Sequence, residues 1–247
     1  METKTKKFKR DILNWYNNNK RDYSWRETND PWKILLLETI SQQTQLDRAD
    51  TYFKLFIEEF PSPATMASSS LKKVLILWSG LGYNNRARRL YESSKILSEK
   101  GFDELYPNFD VLPGVGPYTN NAILSFAYGE KVITRDVNVD RVFSRYFGIN
   151  NVENFVHNNK QPLLNRVSSR DLNQAIMDFG SMVCKSKNPL CSTCVLEKNC
   201  EKNIVKIKKS KETFSGSNRE LRGALLKLLL NENIASLETI QKNLKTD

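Results

Sequence analysis

The sequence predicts an all-α fold. Three observations carry that expectation. Apolar residues recur every three or four positions along most of the chain. Capping residues, prolines and glycines cut this pattern into helix-length pieces. No stretch alternates apolar and polar residues as a half-buried strand would, which disfavours all-β and Rossmann architectures.

The elements follow in order. Lys7 to Tyr16 carries Phe8, Ile12, Leu13 and Trp15 at helical spacing. Asn29-Asp30-Pro31 opens a second helix: a capping side chain, then Pro in the first turn, where its missing N–H is no loss. Trp32, Ile34, Leu35, Leu36, Leu37 and Ile40 continue it. Asp47 to Phe60 is a third, with Pro61 and Pro63 after it. Leu71 to Trp78 is amphipathic and stops at Gly80-Leu81-Gly82. Arg86 to Leu97 follows, with Arg86, Arg88 and Arg89 on its first turns. The run from Leu112 to Thr119 leads into an apolar helix ending near Gly129. Val132 to Thr134 reads as a short extended piece, and Asp136 to Phe147 as a helix with Val139, Val142, Phe143 and Tyr146 on one face. Leu172 to Val183 runs into the cysteines. Lys202 to Lys211 is a Lys-rich linker, and Asn218–Leu230 and Ser236–Leu244 form a short helical appendix.

At 247 residues, 39% hydrophobic and 27% charged, the chain can build a core in one large domain or two small ones. The formal net charge of +10 favours a polyanionic partner, because neutralising phosphates releases condensed counterions. An inert basic surface is the competing reading. Met1 to Arg10 is polar, with no apolar signal region after it, and the longest apolar runs are too short to span a bilayer. The expectation is an intracellular protein, cytoplasmic (nucleoid-associated) or nuclear, with no membrane contact.

Thiols stay reduced in that compartment, so four cysteines point to a ligand set rather than to disulfides. Cys184, Cys191, Cys194 and Cys200 are separated by six, two and five residues. Soft thiolates in one compact loop suit a [4Fe–4S] cluster. A tetrahedral zinc site is the alternative, but such sites usually pair two Cys-x2-Cys knuckles and only one is present here.

Leu112-Pro113-Gly114-Val115-Gly116 sits between helical segments. Gly114 and Gly116 let the backbone turn and approach a ligand closely, and the N–H groups of the helix beginning at Pro117 can hold a phosphate. Read alone, this is also an ordinary interhelix turn.

The hairpin, an Asp about twenty residues later and the cysteine spacing together resemble the helix-hairpin-helix glycosylase family of endonuclease III and MutY, over roughly residues 7–202. Within it, Gln42-Gln43-Thr44-Gln45 after Glu38, and Gly80-Leu81-Gly82-Tyr83, are similar to A/G-specific adenine glycosylases. The resemblance implies two helical lobes with a DNA cleft between them. One lobe would be 29–129 with the hairpin, the other 1–28 plus 130–205 with the cluster. Residues 206–247 would be linker and appendix in place of a Nudix-like domain. The expected partner is double-stranded DNA with a mismatched or damaged base, bound by a monomer.

Two carboxylates gain roles from that resemblance. Glu38 lies in an apolar run, where desolvation disfavours the anion and suits a general acid. Periodicity alone reads it more simply as a solvated Glu. Asp136 opens a helix, where amide groups stabilise an anion, and a plain cap would suffice structurally. The resemblance makes Glu38 the acid that protonates adenine and Asp136 the anion that stabilises the sugar cation. It makes Gln42, Gln43 and Tyr83 the side chains that fill the gap left by a flipped base, with Arg86 among the DNA contacts. Trp25, Arg26, Gln174 and Asn138 would line the base pocket. Tyr118 stands where bifunctional relatives carry a Schiff-base Lys, so the resemblance implies base excision with little strand cleavage. Val137 departs from the family's Asp-Gly-Asn. A thymine or uracil mismatch glycosylase, and a non-catalytic iron–sulfur DNA-binding protein, are the rival readings.

Overall fold

The computed structural model describes residues 3–203 and 217–232. Among these there are eleven α-helices, three single-turn 3-10 helices and no strand. In chain order the helices are α1 (Lys4–Asn19), α2 (Pro31–Ser41), α3 (Leu46–Glu59), α4 (Pro63–Ala67), α5 (Leu71–Leu77), α6 (Asn85–Leu105), α7 (Pro117–Phe126), α8 (Val137–Phe147), α9 (Val152–Leu164), α10 (Ser169–Met182) and α11 (Asn218–Glu232). The all-α expectation holds. The expected helix Ser236–Leu244 and most of the Lys-rich linker lie outside the described residues.

Local chemistry sets most helix starts. Thr3, Ser62, Ser70, Asn151 and Ser168 each accept a hydrogen bond from a backbone N–H of the first turn, satisfying a donor that has no partner within the helix. Asp30 does the same for α2, with Oδ1 accepting from Trp32 N at 2.9 Å. Two helices are absent from the sequence-based expectation. The single turn α4 starts at the very proline read as punctuation, which occupies its first position. Helix α9 has a largely polar sequence with Pro162 inside it, and its apolar signal rests on a few residues such as Val152, Leu163 and Leu164. Val132–Thr134 forms no strand. Its backbone groups pair with side chains instead: Asn173 Nδ2 donates to Val132 O at 2.9 Å, and Thr134 N donates to Asn173 Oδ1 at 3.1 Å.

The described residues divide into two compact units: those up to Leu35, Pro107–Asp110 and those from Val115 to Asn203 form the first, and Leu36–Tyr106, Val111–Gly114 and α11 the second. In the first, α1, α8, α9 and α10 enclose a core of Phe8, Ile12, Val142, Phe143, Leu163, Ile176 and Phe179, all essentially inaccessible. The Phe8 ring lies 5.0 Å from that of Tyr146, and Trp15 meets Phe179 edge-on at the same distance. In the second, α4 and α5 pack on α6, and Phe56 meets Trp78 edge-on at 5.6 Å. Among the described residues no helix is long and apolar enough to cross a membrane.

Candidate functional site

Within the first unit, Asp136 caps α8. Its Oδ1 accepts from Asn138 N at 2.9 Å and Val139 N at 2.7 Å, and its Oδ2 accepts from Asn138 Nδ2 at 2.7 Å. Three donors and the positive end of a helix therefore fix this carboxylate and stabilise negative charge there. Asn138 is oriented in turn: its Oδ1 accepts from Arg141 Nη2 at 2.6 Å. Arg141 is buried, and burial lowers its pKa. It also donates to Gly180 O at 2.6 Å and, through Nε, to Cys184 O at 2.7 Å. A chain of hydrogen bonds thus runs from Asp136 to the first cysteine. Gly180 is required for it, because a Cβ there would sit 2.7 Å from Asn138 Cβ and 3.2 Å from its Cα. Val137, the departure from the family motif, has a 74% exposed side chain and joins this network only through its carbonyl, which accepts from Arg141 Nη1 at 3.2 Å.

The four cysteines line one cavity of about 370 Å³ together with Arg145, Val183 and Leu190. Arg145 Nη1 donates to Lys185 O at 2.7 Å and to Cys184 Sγ at 3.4 Å. Burial pushes the Cys194 thiol up to about 11, with the neighbouring thiols adding to the effect, and raises Cys200 as well. A positive centre is what would hold such a set as thiolates. Among the described residues, no three His, Cys, Asp or Glu side chains converge closely enough for a single metal ion. Four soft thiols around one cavity are a donor set that fits an iron–sulfur cluster.

A second polar group in the first unit joins α1, α10 and the segment between α1 and α2. Arg26, 4% exposed, donates through Nη1 to Tyr16 Oη at 3.0 Å and Gln174 Oε1 at 2.9 Å, and through Nη2 to Asp178 Oδ2 at 3.0 Å. Arg21 Nη2 donates to the other oxygen of Asp178 at 2.5 Å. Burial pushes the Tyr16 phenol up to about 12. Trp25 stacks on Tyr23 at 5.1 Å and carries Arg26 over its ring at the same distance. The indole Nε1 is buried and has no hydrogen-bond partner among the described residues. Three of the expected pocket residues, Trp25, Arg26 and Gln174, are thus brought together. Sequence reasoning missed Tyr16 and Asp178, which hold them. Tyr118, at the start of α7, is partly buried, with its hydroxyl 4.0 Å from Met177 Sδ.

Glu38 belongs to the second unit. It lies on α2 and is 8% exposed, so the solvated reading of this residue does not hold. Just beyond α2, Gln43 has φ +55°, and in the loop before α6 Tyr83 has φ +48°. Neither is Gly, and backbone of this hand costs an L-residue roughly 1–2 kcal/mol. Tyr83 is 46% exposed and Gln43 is exposed as well. Arg86 is half-buried on the first turn of α6. It donates to the carbonyls of Thr39, Ile40 and Gln42, and to those of Leu81 and Gly82. Burial pushes its guanidinium down to about 10. In the hairpin, Gly114 has φ +86°, and a Cβ there would meet Arg89 at 3.2 Å. Ser93 Oγ donates to Pro113 O at 2.9 Å. Gly116 caps α7, whose first turn has no side-chain cap.

The family described as HhH-GPD superfamily base excision DNA repair protein matches residues 37–161. The adenine DNA glycosylase of Buchnera aphidicola subsp. Baizongia pistaciae is 36% identical over 203 residues, 78% of this chain and 58% of that protein. The adenine DNA glycosylase of Mycobacterium tuberculosis is 31% identical over 234 residues, 88% of this chain and 77% of that protein. Of the Buchnera relatives the chain spans 58% to 62% of the length. Among solved structures, a thermostable thymine-DNA glycosylase superposes with a TM-score of 0.73 at 28% identity, over 80% of this chain and 95% of that one.

Proposed function

The chain belongs to the HhH-GPD superfamily of base excision DNA repair proteins, in its adenine DNA glycosylase branch, and from that premise we propose that it excises adenine mispaired with 8-oxoguanine or guanine in double-stranded DNA. The observation that carries the reading is Asp136: an anion fixed by three donors at a helix N-terminus, built to stabilise positive charge on a neighbouring group. Glu38 supplies the second carboxyl, buried on α2 where desolvation suits a general acid.

In the proposed reaction the adenine leaves the stack and Glu38 delivers a proton to N7. The C1′–N9 bond then breaks, its electron pair going to the base. The deoxyribose becomes an oxocarbenium ion, which Asp136 stabilises. Water adds to C1′ and loses a proton, leaving an abasic site. Trp25, Arg26, Gln174 and Asn138 contact the flipped base, while Gln42, Gln43 and Tyr83 occupy the space it leaves. Gly114, Gly116 and the N-terminus of α7 hold a backbone phosphate. A phenol cannot form an imine, so Tyr118 makes the enzyme monofunctional. Cys184, Cys191, Cys194 and Cys200 hold a [4Fe–4S] cluster, which orders the loop between them. The protein acts inside the cell, as a monomer.

The test is cleavage of duplexes carrying A:8-oxoG, A:G, T:G and U:G, followed by alkali. Strand breaks at adenine establish the reading. Breaks only at T or U replace it with a thymine or uracil glycosylase, the activity named for the thymine-DNA glycosylase structure. No breaks at any base leave a DNA-binding role.

A further inference from the structure

The loop after α2 and the loop before α6 share one fastening. Helix α2 ends without a basic residue in its last turn, so the carbonyls there lack an internal cation to complement them. Arg86 supplies the charge from α6. Its Nη1 donates to Thr39 O at 3.0 Å and Ile40 O at 3.1 Å, and also to Gln42 O. Its Nη2 donates to Leu81 O at 3.2 Å and Gly82 O at 3.1 Å. The ring of Trp78 lies 4.9 Å beneath the guanidinium, and the indole Nε1 donates to Gly82 O at 2.9 Å. The cation is committed to the backbone of two loops.

What those loops carry explains the arrangement. Gln43 and Tyr83, each next to a carbonyl that Arg86 holds, are both in the left-handed region. Such conformations persist only where the surroundings over-determine them. A planar fork can hold two backbone segments at a fixed spacing, whereas a single ammonium on a flexible stem cannot.

Resting on the glycosylase reading above, we propose that Arg86 is a positioning residue: it fastens the Gln42–Gln43 loop to the Gly82–Tyr83 loop so that both enter the gap left by a flipped base as one unit. Its role is to set the spacing of the gap-filling side chains, and its charge is spent on the protein rather than on a phosphate.

Arg86→Lys keeps the charge and removes the fork, which makes it the informative variant. Excision from an A:G duplex is expected to fall by about tenfold or more, since small misplacements near reacting groups carry costs of that order. Adenine opposite an abasic site needs less unpairing, and its excision is expected to stay within about threefold of wild type. Affinity and its salt dependence remain as in wild type. Hydrogen exchange rises in 41–45 and 80–84 together, with α10 unchanged. Equal losses on both DNAs, near-normal excision from A:G, or a salt slope shallower by about one unit, the mark of a lost phosphate contact, would each overturn the proposal. If Arg86→Lys does not fold, Trp78→Phe removes the bond to Gly82 and must raise exchange in both loops; a rise confined to 80–84 counts against the fastening. A wild type that excises no adenine from any duplex defeats the glycosylase reading instead, and the exchange measurements still decide whether the loops are coupled.

Discussion

Arg26 and Arg86 are both taken out of water, and they are accommodated by opposite means. Arg26 sits among side chains: Asp178 balances its charge, while Tyr16 and Gln174 take its remaining hydrogen bonds. Arg86 meets backbone carbonyls and aromatic faces. In the first arrangement a buried charge is neutralised, so the loss of one partner strands another. In the second, a cation is spread over dipoles on two loops, and its loss releases geometry more than it exposes charge. Arg26 is nearly inaccessible and Arg86 half-buried, but it is the identity of the acceptors that sets what each does.

The contrast can be broken at its strongest point first. Asp178→Ala leaves Arg26 buried without its anion and is expected to cost about 3–5 kcal/mol of stability by denaturant unfolding. A loss as small as that of a surface ion pair would mean that Arg26 is balanced elsewhere. Next come the two carboxylates. Glu38→Gln and Asp136→Asn are each expected to lower excision by at least about two orders of magnitude in single-turnover assays, with DNA still bound. Near-normal turnover in either removes that assignment. On the loop side, Gln43→Gly relieves a left-handed residue and should raise stability by up to about 1 kcal/mol while slowing excision; a stability loss with unchanged activity would reverse the picture of strain held for function.

The smallest effect is a pH dependence. Tyr16 has its phenol raised from 10.0 to about 12 by burial. Below pH 10 the phenol is neutral in both folded and unfolded chains, and its contribution is fully present. As the pH rises from 10 towards 12, the unfolded chain ionises first and stability is lost. Tyr16→Phe should flatten thermal stability over that window; an unchanged slope would mean that lysine titration accounts for all of it.

What the sequence made legible was local. Asp30-Pro31 announces a helix start because capping and a fixed φ act within three residues. Four cysteines within one short loop announce a common ligand for the same reason. What stayed hidden depends on partners far along the chain. Arg86 is expected from the sequence as a DNA contact on a first turn; its acceptors at Thr39 and Ile40 lie more than forty positions away. Tyr16 and Asp178 carry no signal in the sequence, because the contact that defines them forms only on folding. Glu38 was ambiguous for a related reason. Helix α2 is apolar on nearly every side, so periodicity could not say whether a polar residue in it faces water.

The first unit is assembled from stretches far apart in sequence, and this bears on how the protein is made. Helix α1 emerges early from the ribosome with Phe8, Ile12 and Tyr16 uncovered, and it packs on α9 and α10, which are synthesised last among the helices of that unit. At about 5–20 residues per second the wait is on the order of ten seconds. Over that interval Leu36–Tyr106, the continuous part of the second unit, is already made, while the apolar face of α1 stays uncovered. Vectorial synthesis therefore gives the two units different histories. The network around Arg26, which needs α1 and α10 at once, is among the last parts of the molecule to close.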